Sequence, residues 1–270
     1  MTHYRPGPAI LLLSALVAIF LLLPLLAVVP VSFTPARYLS MPTGNWSLRH
    51  YQTLLSDPRW LDAILLSIRI GVVSSTFSTL IALGFCLGLW MFQPRYAAVL
   101  VGFAILPMVV PPVVSAVTLY FLLTSLSDVS GAIGYDTWLG TALAHSVMTV
   151  PFAVVLILVS LAQVDRRIDL AARGLGAGVW QRAARVIVPN IRFGILTAWL
   201  LSFVLSWEEI GVTLFVTSVN AITLPRLMWM GLRDNIDPAI AALSVVLIAL
   251  TVLALLARAI YRWRVAPPDA

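Results

Sequence analysis

An all-α integral membrane protein with six transmembrane helices is the fold class the sequence predicts, and three observations predict it. The 270 residues are 61% hydrophobic and only 10% charged, with a mean hydropathy of +1.00, whereas charged residues make up about a quarter of a soluble domain. Apolar runs long enough to cross roughly 30 Å of hydrocarbon, at about 1.5 Å per helical residue, recur along the chain. The basic side chains other than histidine are all arginine, and they collect in alternate loops. In such a chain the net charge of +6 reports membrane orientation, and no nucleic-acid partner is expected.

Taken in order, the runs are 9–31, 61–92, 97–126, 140–164, 193–218 and 239–261. The first is too long for a removed signal peptide and lacks the small-residue cleavage site. The second and third are long enough to tilt or to extend beyond the bilayer. Ser67, Ser74 and Ser78 in the second read as small residues for helix packing. Cys86, the single cysteine, reads as a small buried side chain. Pro107, Pro111 and Pro112 must break or kink the third run, because proline removes a backbone donor and clashes with the preceding turn. In the fourth, His145 shares a helical face with Thr141 and Thr149. It either lines a cavity or is satisfied by a neighbouring helix.

No stretch between the runs is long enough for a soluble domain, so residues 1–270 are expected to form one transmembrane domain. Nothing matches GxxxxGK[ST], HExxH or clustered His and Cys. No cofactor, metal or catalytic residue is therefore expected in this chain.

Short loops rich in arginine stay cytoplasmic. With the N-terminus inside, the cytoplasmic segments hold Arg5, Arg95, Arg166, Arg167, Arg173, Arg182, Arg185, Arg192, Arg258, Arg262 and Arg264, against Arg37, Arg49, Arg59, Arg226 and Arg233 outside. The asymmetry predicts a multi-pass protein with both termini cytoplasmic. The outer loops also carry Asp57, Asp62, Asp128, Asp136, Asp234 and Asp237, a balance that does not repel a cation.

The fifth run contains "SFVLSWEEIG", residues 202–211, with Glu208 and Glu209 side by side. Intramembrane carboxylates are costly and are expected to face a cavity, a partner or a bound ion. On an unbroken helix Ser202, Ser206, Glu209, Thr213 and Thr217 share one face, while Glu208 points about 100° away toward Leu201, Leu205, Val212 and Phe215. The candidate substrate-binding residues are Glu209 as principal charge, Glu208 as a second, Thr213 on the polar face, and Trp207 as an aromatic wall for cation–π contact, with Trp229 as another. The competing reading pairs one or both glutamates with an arginine such as Arg69.

The segment 165–192 is the longest cytoplasmic one. It predicts two short helices, Ile168–Leu175 and a second running from Val179 to Pro189, separated by a turn at Gly176 and Gly178. The helices suit docking, and the arginines suit holding lipid phosphates.

Within it, "DLAARGLGAGVWQRAARVIVP" resembles the coupling loop of inner-membrane permeases of binding-protein-dependent ABC importers, whose pattern is Glu-Ala-Ala, three residues, Gly, nine residues, Ile-x-Leu-Pro. Ala171, Ala172, Gly176 and Pro189 match it. Leu170 stands at the glutamate position with Asp169 before it, and Val186 and Val188 replace Ile and Leu. The segment "LPMVVPPVVSAVTLYFLL" is similar to the Pro-bearing third span of these permeases, and "AHSVMTVPFAVVLILVSLAQVD" and the stretch 205–248 are similar to the spermidine/putrescine branch.

The resemblance implies a type I ABC importer permease fold in a bacterial inner membrane. Asp169, Ala171, Ala172, Gly176, Trp180, Arg185 and Pro189 would then couple to a separate ATPase dimer, which carries the ATP and magnesium. A second permease, homologous or a copy, and a periplasmic solute-binding protein complete the implied assembly. The cargo it implies is a small organic cation such as putrescine or spermidine, or another amine or amino-acid-like solute. An ion-coupled secondary transporter using Glu208, Glu209 and His145 is the contrasting class.

Overall fold

A computed structural model describes residues 7–234 and 237–265. Arg5 lies outside the described residues, as do the side chains of Asp234, Arg262 and Arg264. The regular elements among the described residues are all helical. They group into two compact units: Asp62–Leu227, and the segments flanking it on either side.

The flanking unit contains α1 (Pro8–Val31), α2 (Arg49–Ser56) and α13 (Ala239–Val265). Helix α1 is apolar all round and buries none of its residues, as expected of a helix whose surroundings are lipid or a partner helix. It packs beside α13. The hydroxyls of Ser32 and Tyr51 share a hydrogen bond of 2.7 Å between the end of α1 and α2. Asp57 starts the next helix by accepting the Arg59 amide at 3.0 Å and pairing with its guanidinium at 2.6 Å.

The second span is α3 (Pro58–Phe92), 35 residues and roughly 52 Å long, enough to overrun the hydrocarbon. It stops where Gln93 takes a left-handed φ of 46° and Pro94 cannot continue it. The third span is two helices, α4 (Ala97–Val109) and α5 (Pro112–Val129), with extended backbone at Val110 and Pro111 between them. Pro112 sits at the first position of α5, where its missing N–H costs nothing. Pro107 remains inside α4. The fourth span, α6 (Trp138–Ala162), is N-capped by Thr137, which accepts the Gly140 amide at 3.0 Å.

The predicted pair of short helices is present. Helix α7 (Arg166–Gly174) is capped by the Asp165 carboxylate. A helical stretch then runs over Val179–Asn190 as α8 (Val179–Arg182), a π turn (Ala183–Ile187) and α9 (Val188–Asn190). Gly176 between them has φ +83°, a conformation that strains any residue with a Cβ. The stretch turns by 75° at Ile191 into α10 (Arg192–Glu208).

The fifth span departs from its predicted bounds. Helix α10 ends at Glu208, Glu209 is extended with φ −70° and ψ 111°, and helix resumes only as α11 (Thr213–Val216) before α12 (Leu224–Asp234). The break has a local cause: the Glu209 side chain turns forward and takes the Val212 amide at 2.8 Å. It thereby satisfies a backbone donor that an unbroken helix would have bonded internally.

Spans α3, α6 and α10 meet on small residues. Ala82, Cys86, Ala153, Ile157 and Ala198 are buried together, with Ile187 and Ile191 from the turn below. Small side chains let helix backbones approach where lipid supplies no hydrophobic drive between helices. Trp90 closes that end by donating its indole N–H to the Leu161 carbonyl at 3.1 Å.

Candidate functional site

Serine and threonine hydroxyls stitch the same helices together near the other end of the bundle. Ser74 donates to Ser206 at 2.9 Å, and Ser78 bonds Thr149 at 2.7 Å. Buried His145 lies between Ser206 Oγ, 2.8 Å from Nδ1, and Thr213 Oγ1, 2.9 Å from Nε2.

Proton counting orders this network. The single Thr213 hydroxyl proton goes to the Glu209 carbonyl at 2.8 Å, so Nε2–H must donate to Thr213. A neutral ring then accepts at Nδ1 from Ser206. The polar relay thus runs from α3 through α6 to the break in the fifth span. Its members Ser206 and Thr213 are buried, as are Ser202 and Thr217 on the same face, though the Ser202 hydroxyl has no partner in the protein.

The two helix breaks meet at a cavity of about 220 Å³. Pro107, Met108, Val110 and Pro112 line it from the third span, His145, Met148, Thr149 and Phe152 from α6, and Leu205, Ser206 and Glu209 from the fifth. A Cβ added to Gly211 would stand 3.4 Å from Glu209 Oε1 and 4.0 Å from Pro112 Cβ, which shows how closely the breaks approach. Irregular backbone at membrane depth is tolerated only where it is buried in protein or lines a cavity. The 17 residues of α10 put Glu209 roughly 26 Å from the loop end of the bundle, toward the far side of the hydrocarbon.

Glu209 is half-buried at this cavity, whereas Glu208, one residue earlier, is exposed. Trp207 is not among the cavity's lining residues. It continues a ladder along α10, its ring stacked 6.2 Å from Phe203, which lies 5.8 Å from Trp199. Trp229 is exposed on α12. The aromatic ring at the cavity is Phe152, which the sequence reading missed, as it missed Met148. Neither carries a polar signal. Arg69, the suggested partner of the glutamates, instead lies 3.5 Å over the Trp138 ring.

Asp136 acquires a role that loop composition did not suggest. It has a φ of 55°, and its carboxylate accepts the amides of Ser218, Val219, Asn220 and Ala221 at 2.6 to 3.2 Å, with the Asn220 side chain at 2.9 Å. Burial alone would raise its pKa, but the backbone donors outweigh burial and hold it below the usual carboxylate range. Just beyond, Arg226 donates to the Thr217 carbonyl at 2.6 Å and to the Thr217 hydroxyl. Together they fix the segment following α11.

At the loop end, Asp169 and Arg182 pair at 3.2 Å, both largely buried, and brace α7 against α8. Ala172 is half-buried, and Ala171, Gly176, Arg185 and Pro189 are exposed. Leu175 and Trp180 are 89% and 87% exposed, an apolar pair at a polar surface, as a docking face requires.

Comparison with known proteins agrees with this architecture. Residues 80–266 match the family model "Binding-protein-dependent transport system inner membrane component". The putrescine transport system permease protein PotI of Escherichia coli is 30% identical over 85% of this chain and 82% of its own length. The spermidine/putrescine transport system permease protein PotC of the same organism is 26% identical over 88% of each. The molybdenum transport system permease protein ModB, also of Escherichia coli, is 33% identical over 75% of this chain and 93% of its own. A crystal structure of a bacterial ABC transporter involved in import of the acidic polysaccharide alginate has a chain that superposes with a TM-score of 0.70 at 13% identity, covering 97% of this chain and 99% of that one. The likeness extends the type I permease fold to this chain, and the family match sets aside the ion-coupled alternative. A multi-pass inner-membrane protein, the chain belongs to the family of binding-protein-dependent transport system inner membrane components, the permease subunits of ABC importers.

Proposed function

We propose that this permease forms the path of a small organic cation, with a polyamine such as putrescine or spermidine as cargo. The observation that carries the reading is the Glu209 carboxylate at the cavity where the third and fifth spans are both unwound. Glu209 Oε1 holds Val212 N–H, and Oε2 meets the ammonium group. Phe152 offers a ring face. At about 220 Å³ the cavity lies below the 300–1,000 Å³ typical of ligand pockets, which suits a slim solute. PotI and PotC bear polyamine names. ModB bears the name of a molybdenum system, but no arginine is among this cavity's lining residues, and a carboxylate repels an oxyanion. Glu208 at the rim adds negative potential without contact.

In this reading both termini are cytoplasmic and the loop couples to the ATPase. Trp180 and Leu175 enter a groove of the ATPase subunit, Ala171 and Ala172 permit close approach, Gly176 makes the reversal, and Arg185 and Pro189 complete the face. Asp169 acts through Arg182, fixing the angle between the two short helices. ATP and magnesium reside on that partner dimer, a second permease completes the pore, and a periplasmic binding protein delivers the cargo. ATP-dependent uptake of labelled putrescine and spermidine by proteoliposomes holding the full complex tests the cargo. Saturable uptake of either amine, undiminished by excess molybdate, is expected. Molybdate uptake without amine uptake would refute the assignment.

A further inference from the structure

A second cavity, of about 590 Å³, lies at the loop end, between the last turn of α3 and helices α7 and α8. Its polar wall carries Arg166, Arg173, Arg182, Asp169 and Gln93, three guanidinium groups against one carboxylate. Arg182 is 7% exposed; one of its nitrogens pairs with Asp169 Oδ2, but Nε, although buried, has no acceptor in the protein, and Asp169 Oδ1 has no donor. The opposite wall is apolar, with Met91 and the largely exposed Phe92 at the tip of the span. Arg166 lies 5.3 Å over the Trp90 ring, an arrangement suited to the headgroup level of a membrane.

We propose that this cavity binds the headgroup of an anionic phospholipid from the adjoining leaflet. The phosphate meets the arginine forks, which match its geometry bidentately. A headgroup hydroxyl donates to Asp169 Oδ1, and the acyl chains leave past Met91 and Phe92. The amphiphilic lining favours a lipid over a soluble phosphate or an acidic protein segment, and basic pockets between spans at a membrane surface take such headgroups. The inference rests neither on the cargo nor on ATPase docking.

The test is native mass spectrometry of the full-length chain with phosphatidylglycerol or phosphatidylcholine. Wild type should retain one phosphatidylglycerol about tenfold more than phosphatidylcholine, and Arg166→Gln should erase that preference. Arg182→Gln should do the same, but it also strands Asp169, so Arg166→Gln, which breaks no ion pair, carries the decision if Arg182→Gln misfolds. Equal retention of the two lipids, or an unchanged preference in Arg166→Gln, would overturn the proposal. So would binding of inorganic phosphate to the lipid-free chain with no lipid preference, which would make free phosphate the ligand. Expulsion of the lipid on adding the ATPase subunit would identify a protein occupant and overturn it equally.

Discussion

His145 and Asp136 each organise a break in the helical bundle, and each does so by satisfying atoms that would otherwise be stranded. Replacing His145 with alanine removes both ring contacts, to Ser206 and to Thr213, and opens a buried void. The expected cost is about 2–4 kcal/mol, read as a lowered unfolding midpoint in detergent. Asp136→Asn is a cleaner test of charge, since asparagine tolerates the same left-handed φ. Losing the charge on four backbone amides should cost about 1–3 kcal/mol at neutral pH. Because the folded carboxyl titrates below its unfolded value, its stabilisation is complete above about pH 4 and is lost as pH falls through the lower folded pKa. The thermal unfolding midpoint of wild type should therefore drop between pH 6 and pH 3, and that share of the decline should be missing in Asp136→Asn.

Among the elements, the short helices of the loop were legible because Gly176 and Gly178 mark the reversal between them, although the first begins at Arg166, two residues ahead of its predicted start, where the Asp165 carboxylate caps it. The span count was legible from run length, and the break at Val110–Pro111 from its prolines. The break at Glu209 was not, because no proline marks it. It depends on the Glu209 side chain reaching the Val212 amide, a tertiary choice within a run that reads as continuous helix. The polar face survives the break because Thr213 is turned back onto His145. Phe152 and Met148 were invisible as site residues for the converse reason: apolar side chains in a span look alike whether they face lipid or cavity. Gly176 permits a prediction at this scale. A Cβ there meets nothing within 4 Å, so Gly176→Ala costs only backbone strain, about 1 kcal/mol. Gly176→Asp adds a charge beside exposed Leu175 and should abolish co-purification of the ATPase subunit while leaving the helical circular dichroism unchanged. Normal co-purification with unchanged uptake would remove the coupling role from this loop.

For the whole molecule, two broken spans, one relay through His145 and one carboxylate converge on a cavity toward one face, while the loop of short helices, for which we propose the coupling role, stands at the other. A permease needs both, a place for cargo and a place for force. The measurement that tests this most directly is putrescine uptake by the assembled, binding-protein-supplied complex, comparing wild type with Glu209→Gln and Glu208→Gln. Glutamine keeps an oxygen for the Val212 amide, so the break and the assembly should persist. Glu209→Gln should lose at least tenfold in uptake while Glu208→Gln loses little, since a charge-assisted contact at the half-buried cavity position outweighs an exposed charge. Wild-type uptake in Glu209→Gln, with the complex intact, would contradict the account and leave the carboxylate a cap for α11 alone.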